Sequence, residues 1–226
     1  MATRSKRYTE SKKSYDSKKK YPLKESIELL KSFRKTKFDE SVEVVMKLGI
    51  DPKHSDQMLR GSISLPKGIG KELKVVVFAK GEKAEEAKKA GAVEAGAEEL
   101  VKKVEGGWMD FDVAIATPDM MRQIGKLGRV LGPQGKMPSP KSGTVSDNVE
   151  TVVKEFKAGK IEFRNDAGGN VHVLVGKLSF STEDLVSNIE SFVGHIVAAK
   201  PASAKGTYVQ RVTISSTMSP GVNVAV

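Results

Sequence analysis

At 226 residues the chain is long enough for one large domain or two modest ones, and its lack of cysteine excludes disulfides, thiolate metal sites and a cysteine nucleophile. Aromatic residues make up only 6% of the sequence, so nothing is built around a large aromatic pocket. The net charge is +10; no apolar run approaches a membrane span and the basic first twenty residues lack a signal-peptide core, so a soluble cytoplasmic chain without a membrane partner is expected.

The charge is unevenly placed. Residues 1–20 hold eight Lys or Arg against Glu10 and Asp16. With so few apolar side chains, this tail is expected to be disordered unless it lies on a polyanion. Pro22 to Lys35 follows, with Leu23, Ile27 and Leu30 at helical spacing and Leu29 and Phe33 widening the stripe. From Ser41 to Leu48 the pattern changes to strict alternation. Val42, Val44, Met46 and Leu48 fall on one side of a strand, and Ser41, Glu43, Val45 and Lys47 on the other. A second short strand is expected at Ser62 to Leu65, and Pro66 to Gly70 breaks regular structure as a linker or hinge.

From Leu73 the pattern is that of a parallel sheet. The run from Lys74 to Ala79 is continuously apolar, and helices at Glu82 to Lys89 and Ala97 to Val104 alternate with strands near Ala92–Val93 and at Phe111 to Ala116. Pro118 opens the next helix through Met121 and Ile124, and Asp147 is placed to cap a closing helix that runs to Gly159. Between Arg122 and Lys141 the bases Arg122, Lys126, Arg129, Lys136 and Lys141 face no acid, while Glu82 to Asp119 carries ten acids against five bases. Such a division points the basic part at something anionic.

Beyond Lys160 short alternating strands return, at Ile161 to Arg164 and Val171 to Val175, joined by a turn. Ser181 or Thr182 caps a helix carrying Leu185, Ile189, Phe192 and Ile196 on one stripe, and Thr207 to Thr217 reads as a final strand. The flanking segments are small separately and sufficient together. The expected fold is α/β in two domains: a split two-layer domain at 21–66 plus 160–226, and an inserted small doubly wound, Rossmann-like domain at 67–159.

Motifs for catalysis are weak. Gly135-Lys136 would need glycine at 130 and Ser or Thr at 137 for a phosphate-binding loop, and those positions are Val130 and Met137; Gly68 and Gly70 lack a third glycine at Leu73. His54, His172 and His195 show no ligand spacing, and no acid, base and nucleophile set is evident. No enzyme, cofactor or metal is expected. The alternatives are a nucleotide-binding enzyme using the doubly wound domain, which nucleotide would stabilise on melting, and a general nucleic-acid binder acting through the tail.

The stretch Leu127 to Lys141, Leu-Gly-Arg-Val-Leu-Gly-Pro-Gln-Gly-Lys-Met-Pro-Ser-Pro-Lys, reads as a stiff, exposed, cationic loop contributing little core. It resembles the Leu-Gly-x-x-Leu-Gly-Pro-x-Gly-x-Met-Pro-x-Pro-Lys signature of the ribosomal protein L1 family, bacterial type. Agreement continues at Gly49-Ile-Asp-Pro52, at Arg60 to Pro66, at Ile161-Glu-Phe-Arg-Asn-Asp166 and at Ser216-Thr-Met-x-Pro220. In order, these cover the chain from about Lys19 to its end.

The resemblance implies a structural protein of the large ribosomal subunit, a monomer outside the ribosome. Its implied partners are the rRNA of the mobile stalk, the tRNA in the exit (E) site and an element in the leader of its own mRNA, whose translation it would repress. Carried over as RNA contacts are Lys37, Phe38, Ser41, Glu43, Arg164, Asp166, Thr217 and Met218, with Lys47 and His172 beside them; the basic loop residues would form a secondary surface. Lys37 and Arg164 suit phosphates, Phe38 a sugar or base, and Ser41 and Thr217 2′-hydroxyls. Ser219 departs from the family's usual glycine, and Gln134, Lys136 and Ser139 also differ from its pattern.

Overall fold

The computed structural model describes residues 4–34 and 36–225. In chain order the elements are α1 (Lys6–Lys13), α2 (Leu23–Ser32), β1 (Ser41–Leu48), β2 (Arg60–Ser64), β3 (Val75–Phe78), α3 (Glu82–Lys89), β4 (Glu94–Gly96), α4 (Glu98–Glu105) and β5 (Val113–Ala116). Short 3-10 turns and the single-turn helices α5 (Met121–Ile124) and α6 (Gly128–Leu131) follow. The chain ends with α7 (Val149–Ala158), β6 (Lys160–Arg164), β7 (Asn170–Lys177), α8 (Thr182–Ala198), β8 (Val209–Ser216) and β9 (Val222–Val224). Two compact units result, residues 1–70 with 162–226 and residues 71–161.

The first unit is built on an antiparallel sheet in the order β7-β1-β8-β9. The alternation along β1 is realised in the burial of Val42, Val44, Met46 and Leu48. These side chains share a core with Val171, Val173 and Val175 of β7, Val212 and Ile214 of β8, and the apolar stripes of α2 and α8. On α8 that stripe is Leu185, Ile189, Phe192 and Ile196, all buried, and Ser181 caps the helix by accepting the Asp184 N–H at 3.1 Å. β2 pairs with β6 in a separate ribbon.

The second unit holds a parallel sheet in the order β4-β3-β5. β3 is buried on both faces: Val76 and Phe78 meet α4, Met120, Ile124 and Leu127, while Val75 and Val77 meet Ala87, Val153 and Phe156. That is why its sequence is a continuous apolar run.

Several expectations are corrected. The tail expected to be disordered carries α1 from Lys6, capped by Ser5; Met1 to Thr3 lie outside the described residues. Two tyrosines hold this segment, a contribution that composition undervalues. The Tyr15 ring lies 5.5 Å from that of Phe33 and its hydroxyl donates to the Gly221 carbonyl at 2.8 Å, while Tyr21 bridges to Val224. α2 stops at Ser32 because Phe33 turns extended, and the expected helix end, Lys35, lies outside the described residues.

Leu127 to Lys141 is not a mere exposed loop. Leu127 and Leu131, one helical turn apart, are fully buried, and Met137 packs against the same core. Asn148, not Asp147, caps α7, its side chain accepting from Thr151 N–H at 3.3 Å; Asp147 pairs instead with Lys83 at 2.9 Å. The strand expected near Ala92–Val93 lies at Glu94–Gly96, and β9 adds a strand beyond those expected.

Candidate nucleic-acid interface

β1 and β8 meet at one end of the first unit through a compact set of bonds. Thr217 N–H donates to the Ser41 carbonyl at 3.1 Å, and Ser41 N–H donates to Thr217 Oγ1 at 3.1 Å. Lys177 Nζ donates to Ser41 Oγ at 2.8 Å, so this hydroxyl is held from the β7 side as well. The Asp39 carboxylate, next along, accepts the Ser179 hydroxyl at 2.7 Å and its N–H at 3.2 Å.

Beneath this edge lies Glu40, only 3% exposed. Its Oε2 accepts the Ser216 hydroxyl and, at 3.1 Å, the Met218 N–H. Burial pushes the Glu40 carboxyl pKa up, but hydrogen bonds from Ser216, the Met218 amide and Thr36 together prevail and hold it below the ordinary carboxylate range. The charged form therefore pins the turn that displays Met218. Ser219 closes the same turn by accepting Ser216 N–H at 2.9 Å, and no non-glycine residue among those described has positive φ. The departure from glycine at 219 is thus accommodated without backbone strain.

Two apolar side chains stand out from this anchored edge, Phe38 at 54% exposed and Met218 at 50%. Lys37 is exposed beside Phe38 and carries no ion pair among the described residues. Above the sheet, register places Glu43 opposite Leu174 and Ser215, Val45 opposite His172 and Thr213, and Lys47 opposite Asn170 and Arg211. These side chains share one open face.

His172 bridges two acids there. Its Nδ1 lies 3.2 Å from Glu43 Oε1 and its Nε2 lies 3.8 Å from Asp166 Oδ2. Asp166 is itself consumed by the β6–β7 turn. Its carboxylate accepts the Asn170 side-chain amide at 2.9 Å, Asn170 N–H at 2.7 Å and Gly168 N–H at 2.8 Å, and these bonds, Asn170's foremost, hold its pKa low. Gly169 completes the turn at φ 73°, where a Cβ would lie 3.2 Å from two carbonyl oxygens. Lys47 Nζ reaches the Gly168 carbonyl.

The structure therefore joins Ser41 with Thr217 in one set of contacts and Glu43, His172, Asp166 and Lys47 in a second further along β1, with Met218 held at the edge by Glu40. Arg164 is exposed at the end of β6, and among the described residues no contact ties it to either set. Glu40 escapes a reading of the sequence, although a signal exists: it shares the even-numbered phase of Val42 and Val44, so its carboxylate points toward the core side. Arg211, Leu174 and Ser215 escape because cross-strand register is invisible in local sequence.

In the second unit, Arg122, Lys126, Arg129 and Lys141 are exposed. Lys136 is turned inward, donating to the Met109 carbonyl at 3.1 Å and lying 5.1 Å from the Phe111 ring centre. Among the described residues no group of His, Asp or Glu is arranged to hold a metal ion, and no helix is long and apolar enough to cross a membrane.

Fold and site together define a mixed α/β protein with an open, polar, hydrogen-bonded sheet face, suited to a broad polar ligand. The chain matches the model of the ribosomal protein L1p/L10e family over residues 30–220 and belongs to that family. It is 54% identical over 222 residues to the large ribosomal subunit protein uL1 of Kosmotoga olearia, a match covering 98% of this chain and 96% of that one.

Proposed function

We propose that this protein is a non-enzymatic constituent of the large ribosomal subunit, in the cytoplasm, that binds the rRNA of the mobile stalk through the open end of its β7-β1-β8 sheet. One observation carries the reading: the buried Glu40 carboxylate fixes the turn that presents Met218, and Phe38, two residues before Glu40, is about as exposed as Met218. Exposed apolar groups on a rigid polar frame suit stacking and sugar contacts on a structured RNA. Lys37 and Arg164 supply phosphate contacts, Ser41 and Thr217 meet 2′-hydroxyls, and Glu43 and His172 read groups that a bare cationic surface would not. The contribution of Asp166 is to shape the turn. This surface also fits a similar element in the protein's own mRNA, where binding would repress translation.

In the second unit, Arg122, Lys126, Arg129 and Lys141 are proposed to meet further RNA, including the departing E-site tRNA, and Lys136 to brace the loop. The split 21–66 plus 160–226 domain is thus the proposed rRNA-binding part, and the 67–159 insert the part proposed to meet further RNA. Binding to a stalk rRNA fragment, measured against scrambled RNA of equal length, tests this. Preference for the stalk fragment by tenfold or more is expected, and equal affinity would overturn the reading.

A further inference from the structure

Lys47 and Arg211 stand directly opposite each other on β1 and β8, on the open face and at the far end from Phe38. Like charges so placed repel, yet neither has a carboxylate partner. Lys47 Nζ is bonded to a carbonyl, and Arg211 carries no hydrogen bond or ion pair among the described residues. The acids around them are engaged elsewhere. Asp166 serves its turn, Glu43 faces His172, and Asp51 accepts Lys53 N–H at 3.1 Å.

The two bases flank a groove floored by Val45 and walled by Asn170, Gln210 and Thr213. The Gln210 amide has no hydrogen bond among the described residues, and the Thr213 hydroxyl donates to Asn223 Oδ1 at 3.1 Å, which leaves its lone pairs free to accept. The groove runs on past Lys47 and Gln210 into a second hollow edged by Lys205. Bases outnumber acids along it, Lys47, Arg211 and Lys205 against Asp51, and amide and hydroxyl groups line its sides.

We propose that this groove binds the phosphodiester backbone of the same RNA where it runs on past the Phe38–Met218 edge. The inference rests on the RNA-binding function proposed for that edge. The planar Arg211 fork takes one phosphate with two parallel N–H bonds, Lys47 adds charge from the opposite wall, and Gln210 and Thr213 meet sugar hydroxyls. From Ser41 to Lys47 the strand advances about 20 Å, so only RNA extending that far beyond the edge gains the contact.

The test compares wild type with Arg211→Gln and Arg211→Lys on two rRNA fragments: the shortest whose binding still depends on Phe38, and one longer by about six nucleotides at each end. Arg211→Gln is expected to weaken the long fragment by about fivefold and to reduce its salt slope by about one, with less than a twofold effect on the short one. Arg211→Lys is expected to keep the slope and lose part of the affinity. If Arg211→Gln binds the long RNA with wild-type affinity and slope while Phe38→Ala remains impaired, the groove proposal fails and the site reading stands. If no fragment shows Phe38-dependent binding, the site reading fails and takes the groove with it.

Discussion

The Glu40 carboxylate accepts the Met218 backbone N–H at 3.1 Å from a position only 3% exposed. A buried residue thus sets the position of one that is half exposed. Glu40→Ala leaves the Ser216 hydroxyl and the Met218 amide without their acceptor, and a loss of roughly 2–4 kcal/mol in urea unfolding is expected. RNA affinity of the folded variant should drop as well. Unchanged stability would remove Glu40 from its anchoring role.

The pH dependence has a definite sign. The folded-state carboxyls of Glu40 and Asp166 both lie below their ordinary values, the first because hydrogen bonds outweigh burial and the second because Asn170 and the turn amides bind it. A depressed carboxyl stabilises the fold above its unfolded pKa, about 4, and that contribution is lost as pH falls through the folded pKa. Stability of the wild type should therefore hold from neutrality to about pH 5 and decline below about 4. Glu40→Gln should be weaker at neutrality and decline less steeply in acid.

Ser219 replaces a glycine expected from family resemblance, and its side chain accepts Ser216 N–H at 2.9 Å. Because no positive φ is involved, Ser219→Gly is expected to cost about 1–2 kcal/mol of stability, from the lost side-chain bonds to Ser216 N–H and the Pro220 carbonyl and from a freer unfolded chain. Stalk-RNA affinity should stay within twofold; a tenfold change would mean that the hydroxyl itself meets the RNA.

Leu127 lies in the basic stretch yet is fully buried against Val76, Phe78 and Leu131. Leu127→Ala should lower the stability of the second unit by about 2–5 kcal/mol. Hydrogen exchange would locate the loss within residues 71–161. An effect below 0.5 kcal/mol would return this stretch to the status of a surface loop.

Periodicity reveals the mixed α/β class, the two faces of β1, the apolar parallel-sheet strand and the stripe of α8, because each is a local pattern. What it misses depends on distant partners. The segment that follows α1 is held by Tyr15 against Phe33 and by Asn223 donating to the Ser17 carbonyl, about two hundred residues away in the last case. β9 is three residues long and too short to show a period. Leu127 and Leu131 keep helical spacing within a frame of Gly and Pro that masks it. At the site, Phe38, Thr217 and Met218 are reached through family resemblance. Their neighbourhood depends on the β1–β8 register, which also brings in Arg211.

The most direct test of the proposed RNA-binding surface uses Phe38→Ala and Met218→Asp, singly and together, with affinity for the stalk rRNA fragment measured by titration and folding checked by melting. Both side chains are half exposed, so melting should change little. Each variant is expected to lose about 1–3 kcal/mol of binding, roughly fivefold to a hundredfold, with the preference over scrambled RNA reduced. Wild-type affinity and preference in the double variant would contradict the assignment of this edge as the RNA site.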